Sequence, residues 1–185
     1  MEIDIAGPVR EQLAGNEHLL WSGQPTQGIR LRSADAFIIP FSLMWGGFAF
    51  FWEWSVVRTD APFFFKLWGI PFVLAGLHFM FGRFFWDSHV RRSTYYGVSD
   101  QRVLIVTRGL SAKVKSLNLR SLSDISFSGS SSGAGVIQFG ANSWGGGGWL
   151  AGTSWPGVQA VPMFDLPEDA KRVYELIRQA QQKAQ

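Results

Sequence analysis

The segment "YYGVSDQRVLIVTRG", residues 95–109, marks the point at which the character of this chain changes. With Thr94 it predicts two short strands over 94–99 and 102–108, because β-branched and aromatic residues favour strands and the Asp-Gln pair between them favours a turn. Residues 79–86, shortly before it, read "FMFGRFFW", a run that a soluble sheet protein does not need. The chain therefore joins a strongly apolar segment directly to a small β domain.

The apolar segment, residues 34–86, contains two long apolar runs, 34–57 and 61–85. A helix of about 20 residues crosses the hydrocarbon core of a membrane, and neither run has the polar face of a surface helix. Only a few residues separate the two runs. We therefore expect a transmembrane hairpin with helices at about 35–57 and 62–85, rather than a helix pair buried inside a soluble protein.

Basic residues favour the cytoplasmic side of a membrane, and most of those near the hairpin lie on one side of it. Two precede the first helix and three lie at or beyond the end of the second, whereas the connecting loop holds only Arg58, with Lys66 just inside the second helix. We expect both termini, including the segment 1–33, to be cytoplasmic. The five basic residues on that side are Arg30, Arg32, Arg83, Arg91 and Arg92.

Three of the polar residues inside the predicted hairpin are candidates for a function. Glu53 and Lys66 fall at similar depth near the outer side, where an ion pair or snorkelling to the interface relieves the cost of a charge in the membrane. His78 lies in the inner half of the second helix and is expected to be a hydrogen-bonded packing residue. The alternative is an ion or proton pathway through these three residues.

Residues 88–185 have the size and pattern of one soluble domain. Apolar residues at helical spacing after Ala170 predict a C-terminal helix over 167–183, with Pro167 as its first residue. The segment 17–23, "EHLLWSG", is a candidate seventh strand, because two helices return the chain to the side on which it started. Four further strands are predicted at 112–119, 122–129, 134–141 and 158–166.

The order of these segments resembles that of the bacterial pleckstrin-homology-like (PH-like) membrane proteins. The resemblance is carried by "LLWSGQP" (19–25), "YYGVSDQRVLI" (95–105), "SLNLRSLSDIS" (116–126) and the C-terminal helix. It implies an α+β membrane protein of the bacterial inner membrane, in which a PH-like antiparallel barrel or sandwich is closed by that helix. The family has no shared catalytic residues, and the insert at 141–157 departs from its pattern.

The residues provide no catalytic, cofactor or metal site. Cysteine is absent, the three histidines are scattered without metal-ligand spacing, and the glycine-rich segments lack the Lys-Ser or Lys-Thr of a phosphate-binding loop. The adjacent Asp87, Ser88 and His89 cannot form a relay, because neighbouring side chains on one segment point apart. We therefore expect a protein that is not an enzyme. Nucleic acid is not an expected partner, because no strongly basic separate domain is present.

Three functions are consistent with this pattern. The first is a non-enzymatic binding or scaffold protein whose partner is another protein, a peptide or further copies of itself. The second is an anionic-lipid sensor, and the third is a small transporter or channel subunit built on the intramembrane polar residues. The candidate residues for lipid or partner binding are Arg91, Arg92, Lys113, Lys115, Trp144, Trp149 and Trp155.

Overall fold

The helical hairpin interrupts the β domain between its first and second strands. The computed structural model describes residues 4–29, 31, 35–59, 61–109, 112–140 and 161–184. The elements in chain order are α1 (Gly7–Arg10), β1 (Leu19–Gly23), α2 (Asp35–Arg58), α3 (Phe63–Leu77), a π-helical segment (His78–Gly82), α4 (Arg83–Arg92), β2 (Thr94–Ser99), β3 (Arg102–Thr107), β4 (Lys113–Asn118), a 3₁₀ turn (Leu119–Ser121), β5 (Ile125–Gly129), β6 (Gly135–Phe139), β7 (Met163–Leu166) and α5 (Ala170–Ala184).

The hairpin consists of two helices that are long and apolar enough to cross a membrane. The first is α2, with 24 residues, and the second is the continuous 30-residue helix formed by α3, the π-helical segment and α4. This second helix extends to Arg92, past the end at residue 85 that hydropathy predicts. Asp87 and Arg91 are four residues apart and form an ion pair, which supports the last helical turns where the apolar run has ended.

Small residues allow the two helices of the hairpin to approach closely. Ser42, Gly46 and Ala49 share one buried face of α2, at spacings of four and three residues. A Cβ atom added to Gly76 of α3 would lie 3.1 Å from the Cα atom of Gly46. Close backbone approach of this kind is how helices associate where apolar burial from water gives no driving force. Large apolar side chains on the other faces of both helices remain exposed.

The β domain contains a four-stranded antiparallel sheet in the order β1-β2-β3-β4 and a three-stranded antiparallel sheet in the order β5-β6-β7. The candidate strand before the hairpin is part of the first sheet, with Leu19 opposite Ser99 and Gly23 opposite Tyr96. The hairpin therefore leaves and re-enters the domain at two neighbouring strands.

The two sheets do not close into a barrel, so the barrel form of the expected fold is wrong for the part of the chain that the structure describes. The 3₁₀ turn at Leu119–Ser121 separates β4 from β5, and no ladder between described strands joins the sheets. At the opposite side, the N–H of Thr26 donates to the carbonyl of Asp165 at 2.9 Å and the Thr26 hydroxyl donates to Asp165 Oδ1 at 3.1 Å, but Thr26 belongs to none of the described strands.

The core lies between the two sheets and is centred on Phe164 of β7, which is fully buried. Tyr96 stacks on its ring with a centroid distance of 4.3 Å, and Phe139 meets it edge-on at 5.0 Å. Trp21 of β1 approaches from the first sheet at 5.9 Å. Aromatic pairs at such distances add to the apolar burial that joins the sheets.

The outer face of the four-stranded sheet is covered by the N-terminal segment, which the sequence presented only as a polar cytoplasmic stretch. Val9 of α1 is fully buried together with Leu104 and Val106 of β3. A Cβ atom at Gly97 would lie 2.3 Å from a Val9 methyl carbon, so the glycine provides the space for this contact. Apolar residues on both faces of β3 are therefore buried.

The C-terminal helix packs against the second sheet but begins later than expected. α5 starts at Ala170 rather than at Pro167, after Asp169 adopts a left-handed backbone conformation with φ of 53°. The N–H of Ala170 donates to the carbonyl of Gly133, so the helix start is fixed to the β5–β6 turn. Farther along, the Gln181 side chain donates to the Leu122 carbonyl at 2.6 Å.

Candidate functional site

The candidate site is the junction at which α4 meets the β domain. α4 ends at Arg92 and β2 begins at Thr94, so a single residue, Ser93, joins the helix to the sheet. The N–H of Arg108 donates to the Ser93 carbonyl at 2.6 Å, and the Thr94 hydroxyl donates to the Val90 carbonyl at 2.8 Å. The long helix therefore enters the sheet without a linker.

Arg91 stabilises this junction from within the protein, because the residue is only 6 % exposed. Its Nη2 and Nε atoms donate to Asp87 Oδ2, one helical turn back, at 2.5 and 2.9 Å. Its Nη1 atom donates to Asp165 Oδ2 of β7 at 3.3 Å and to the Thr26 carbonyl at 3.4 Å. One guanidinium thus ties α4 to β7 and to the segment that follows β1, and two carboxylates compensate its buried charge.

The two adjacent arginines therefore have different environments, although the sequence grouped them as one candidate for lipid or partner binding. Arg92 is exposed, whereas the guanidinium of Arg91 is enclosed by its partners within the protein. The spacing of Asp87 and Arg91, four residues apart on a helix, was the sequence signal that distinguishes them. Arg92 has no acidic residue at that spacing.

Lys113 lies at the same end of the sheet as the helix junction. Thr94 of β2 pairs with Thr107 of β3, and Thr107 pairs with Lys113 of β4. Because neighbouring strands are about 4.8 Å apart, the Lys113 backbone lies roughly 10 Å from that of Thr94. Lys113 and Lys115 are both exposed. We call Arg92, Lys113 and Lys115 the basic rim.

The remaining three candidate residues for lipid or partner binding are tryptophans of the 141–157 insert. Trp144, Trp149 and Trp155 lie outside the described residues. Their part in lipid or partner binding stays a prediction.

The polar residues of the hairpin do not assemble into one site in the structure. Glu53 packs against Gly69, where an added Cβ atom would lie 1.7 Å from Glu53 Oε2, and this buried oxygen has no hydrogen-bond partner among the residues that the structure describes. Among the described residues, no ion pair joins Glu53 to Lys66. His78 is exposed at the start of the π-helical segment, with its ring over Gly82 of the same helix.

An ion pair that the sequence did not indicate closes the base of the hairpin. Arg83 Nη1 donates to Asp35 Oδ1 at 2.5 Å, and their side chains are 20 % and 8 % exposed. The Arg83 guanidinium also lies over the Phe84 ring, 4.2 Å from its centroid. Asp35 in the first turn of α2 is additionally favoured by the positive end of the helix dipole.

Another ion pair, between Glu17 and Arg102, holds the N-terminal segment on the first sheet. Glu17, whose side chain is 1 % exposed, accepts a hydrogen bond from Arg102 Nη2 at 2.8 Å and one from the Ser99 hydroxyl. Burial alone would raise the pKa of the Glu17 carboxyl. The hydrogen bonds from Arg102, Ser99 and the Ala14 N–H outweigh burial and lower this pKa from 4.5 to about 2. Arg102 also donates to the Gln12 carbonyl at 2.9 Å.

The described residues contain no group of three or more His, Asp or Glu side chains that could hold a metal ion. No family model, curated protein or solved structure matches the chain. A function must therefore be proposed from the geometry of the junction and of the surfaces next to it.

Proposed function

We propose that this chain is a non-enzymatic scaffold, anchored in a membrane by its hairpin, that presents its β domain to a binding partner at the cytoplasmic face of a bacterial inner membrane. The observation that carries the proposal is the Arg91 junction. A buried guanidinium with partners on three segments fixes the β domain to the helix that leaves the membrane. Such a junction serves a protein whose task is to hold a surface at a set position.

The proposed geometry places the β domain close to the lipid head groups. The Asp35–Arg83 pair lies at the first residue of α2 and close to the end of the second apolar run, so we place the edge of the hydrocarbon core at this level. α4 has 10 residues and is about 15 Å long. Phe85 and Trp86, 69 % and 50 % exposed, lie in its first turn, which suits the interfacial zone. The remainder of α4 holds the β domain just beyond that zone.

Two facing antiparallel sheets with a C-terminal helix support a PH-like assignment for the β domain, which we include in the proposal. The partner is a protein, a peptide or another copy of the chain. The orientation follows from the basic residues: Arg83, Arg91 and Arg92 lie at the end of the hairpin that carries the β domain. Both termini are then cytoplasmic, and Arg58 lies at the outer turn.

The orientation is tested by thiol labelling, for which this chain is well suited because it contains no cysteine. Thr59→Cys places one thiol in the short turn between α2 and α3, and Lys183→Cys places one on an exposed position of α5. An impermeant maleimide applied to intact spheroplasts should label Thr59→Cys. Lys183→Cys should react only after permeabilisation, and the opposite pattern would invert the proposed orientation.

The fixed presentation is tested with spin labels on His89→Cys and Arg178→Cys, which lie on exposed positions of α4 and α5. In nanodiscs, Arg91→Met should broaden the distribution of distances between the two labels. The matched control is Arg92→Met, which removes the same type of side chain from the exposed neighbour and should leave the distribution unchanged. Equal distributions in both variants would show that Arg91 does not fix the β domain to α4 and would contradict the proposal.

A second candidate function is contact with anionic lipids through the basic rim. The strand register that brings Lys113 level with Thr94 favours this function, because it turns that end of the sheet toward the membrane. Charges within about 8–10 Å of an anionic surface are attracted to it, by roughly 1 kcal/mol for each Lys or Arg. Arg91 has no part in this contact, since its charge is satisfied inside the protein.

The lipid function is tested by the rate at which an acylating reagent modifies Lys113 in nanodiscs of phosphatidylcholine with or without phosphatidylglycerol. Contact with lipid phosphate should slow the reaction of Lys113 in anionic discs, and high salt should restore it. The internal control is Lys183 of α5. Gln181, two residues before it, donates to the Leu122 carbonyl, and Leu122 follows the end of β4 that lies opposite Lys113. Equal rates for Lys113 in both discs would contradict the function.

A further inference from the structure

β4 is an open strand edge in the described part of the structure. It lies at the end of the order β1-β2-β3-β4, and β3 is its one neighbour among the described strands. Five of its six residues are exposed. An edge strand offers unpaired backbone N–H and C=O groups along one side, and these can pair with another extended chain.

The side chains of β4 alternate between two distinct faces. Lys113 and Lys115 pair with Thr107 and Ile105, on the face that also carries the domain core. Val114 pairs with Val106 on the opposite face and is 46 % exposed. An added strand would therefore place alternate residues next to the two lysines on one face, and the residue between them next to Val114 on the other face.

The charge of this edge determines which strands can add to it. Residues 112–121 contain Lys113, Lys115 and Arg120 and no acidic residue. Lysine on an edge strand normally prevents pairing, and a second copy of β4 would bring lysines next to lysines. An acidic strand reverses the sign of that effect, because opposite charges across a strand pair are attractive. The lysines thus exclude self-pairing and admit a partner of opposite charge.

We propose that β4 is the docking edge for an acidic peptide segment, which binds as an added antiparallel strand with the pattern acidic–apolar–acidic. The acidic residues lie next to Lys113 and Lys115, and the apolar residue lies next to Val114. The inference rests on the proposed scaffold function and identifies the chemistry of its partner. It uses the same lysines as the lipid contact, so membrane and peptide would compete for them.

The test uses the full chain in phosphatidylcholine nanodiscs and a fluorescent hexapeptide, Thr-Glu-Val-Glu-Val-Thr, followed by anisotropy. A matched peptide, Thr-Glu-Glu-Val-Val-Thr, has the same composition and charge but places its two glutamates on opposite faces of a strand. We expect the alternating peptide to bind, and the rearranged one to bind about tenfold more weakly. Equal binding of the two would show unspecific charge attraction and overturn the proposal.

Charge reversal in the protein provides the second arm. The double variant Lys113→Glu/Lys115→Glu should lose affinity for the glutamate peptide by about tenfold or more, and it should gain affinity for Thr-Lys-Val-Lys-Val-Thr. Peptide-induced protection of β4 amides from hydrogen exchange should accompany binding. If affinity is unchanged by the double variant, the peptide binds elsewhere and the proposal is wrong.

The same samples separate this inference from the scaffold function and from lipid binding. The thiol-labelling pattern of Thr59→Cys and Lys183→Cys reports the anchored orientation whether or not a peptide binds. Correct orientation without peptide binding overturns only the β4 inference. Protection of Lys113 by phosphatidylglycerol, together with no binding of any peptide in neutral discs, would assign the basic rim to the membrane instead.

Discussion

The hairpin and the β domain are packed by opposite means. In the hairpin, small residues such as Gly46 and Gly76 form the contact between helices, and large apolar side chains such as Phe48 and Leu74 point outward, 64 % and 60 % exposed. In the β domain, large side chains such as Phe164 fill the interior, and charged residues form ion pairs at its boundary. An apolar exterior with a small-residue interior is suited to lipid, whereas the β domain is organised for water.

The difference predicts which substitutions each region tolerates. Added volume at the helix contact should disturb the hairpin, whereas removal of one charge should disturb the β domain most. Each region should also respond without the other, except at the Arg91 junction.

The largest effect is expected from removal of Arg102. Arg102→Met leaves the carboxylate of Glu17, 1 % exposed, without its charged partner. Removal of one member of a buried ion pair costs about 3–5 kcal/mol. The free energy of unfolding of the β domain, measured by hydrogen exchange of the β2 and β3 amides, should fall by this amount.

The matched control is Arg108→Met. Arg108 pairs with Glu11, but their side chains are 44 % and 63 % exposed, so the loss should be below about 1 kcal/mol. Equal losses in the two variants would mean that burial does not distinguish the two ion pairs.

Acid should weaken the ion pair between Glu17 and Arg102. The pKa of Glu17 is about 2 in the folded protein and 4.5 as a reference for the unfolded chain. The stabilising contribution is therefore fully present above about pH 4.5, and it is lost as the pH falls toward 2, by an amount on the order of 3 kcal/mol. Urea unfolding of the wild type and of Glu17→Gln at several pH values measures it. The difference between the two proteins should shrink with acid, and a constant difference would contradict the assigned pKa.

These ion pairs show which parts of the structure could be predicted from the sequence and which could not. Strands such as β2 and β3 follow from local composition, and the hairpin follows from hydropathy, because both signals are contained in a few neighbouring residues. The pairing of Glu17 with Arg102 joins residues on either side of the hairpin, and no local pattern encodes such a contact. The burial of Val9 on the outer face of the sheet was missed for the same reason. Arg91 was predictable in part, from Asp87 four residues before it.

A smaller effect is expected from added volume in the hairpin. Gly76→Val places a branched side chain where even a Cβ atom lies 3.1 Å from the Gly46 Cα atom. Overpacking of this kind costs about 1–3 kcal/mol. The control is Gly47→Val, since nothing lies within 4 Å of a Cβ atom at that position. Titration with SDS in mixed micelles should unfold the helices of Gly76→Val earlier than those of Gly47→Val. Hydrogen exchange in the β2 and β3 strands should be the same in both.

The smallest effect is expected from Glu53→Gln. Within the described structure, Glu53 Oε2 makes no hydrogen bond that the amide would lose, so SDS titration should show a change of no more than about 1 kcal/mol. The charge of Glu53 would then be dispensable for the stability of the hairpin. A loss of several kcal/mol would mean that something outside the chain, such as an ion or another copy, holds the carboxylate. The hairpin would then depend on a buried charged group with a partner, as the β domain does. The transporter function would gain its first support.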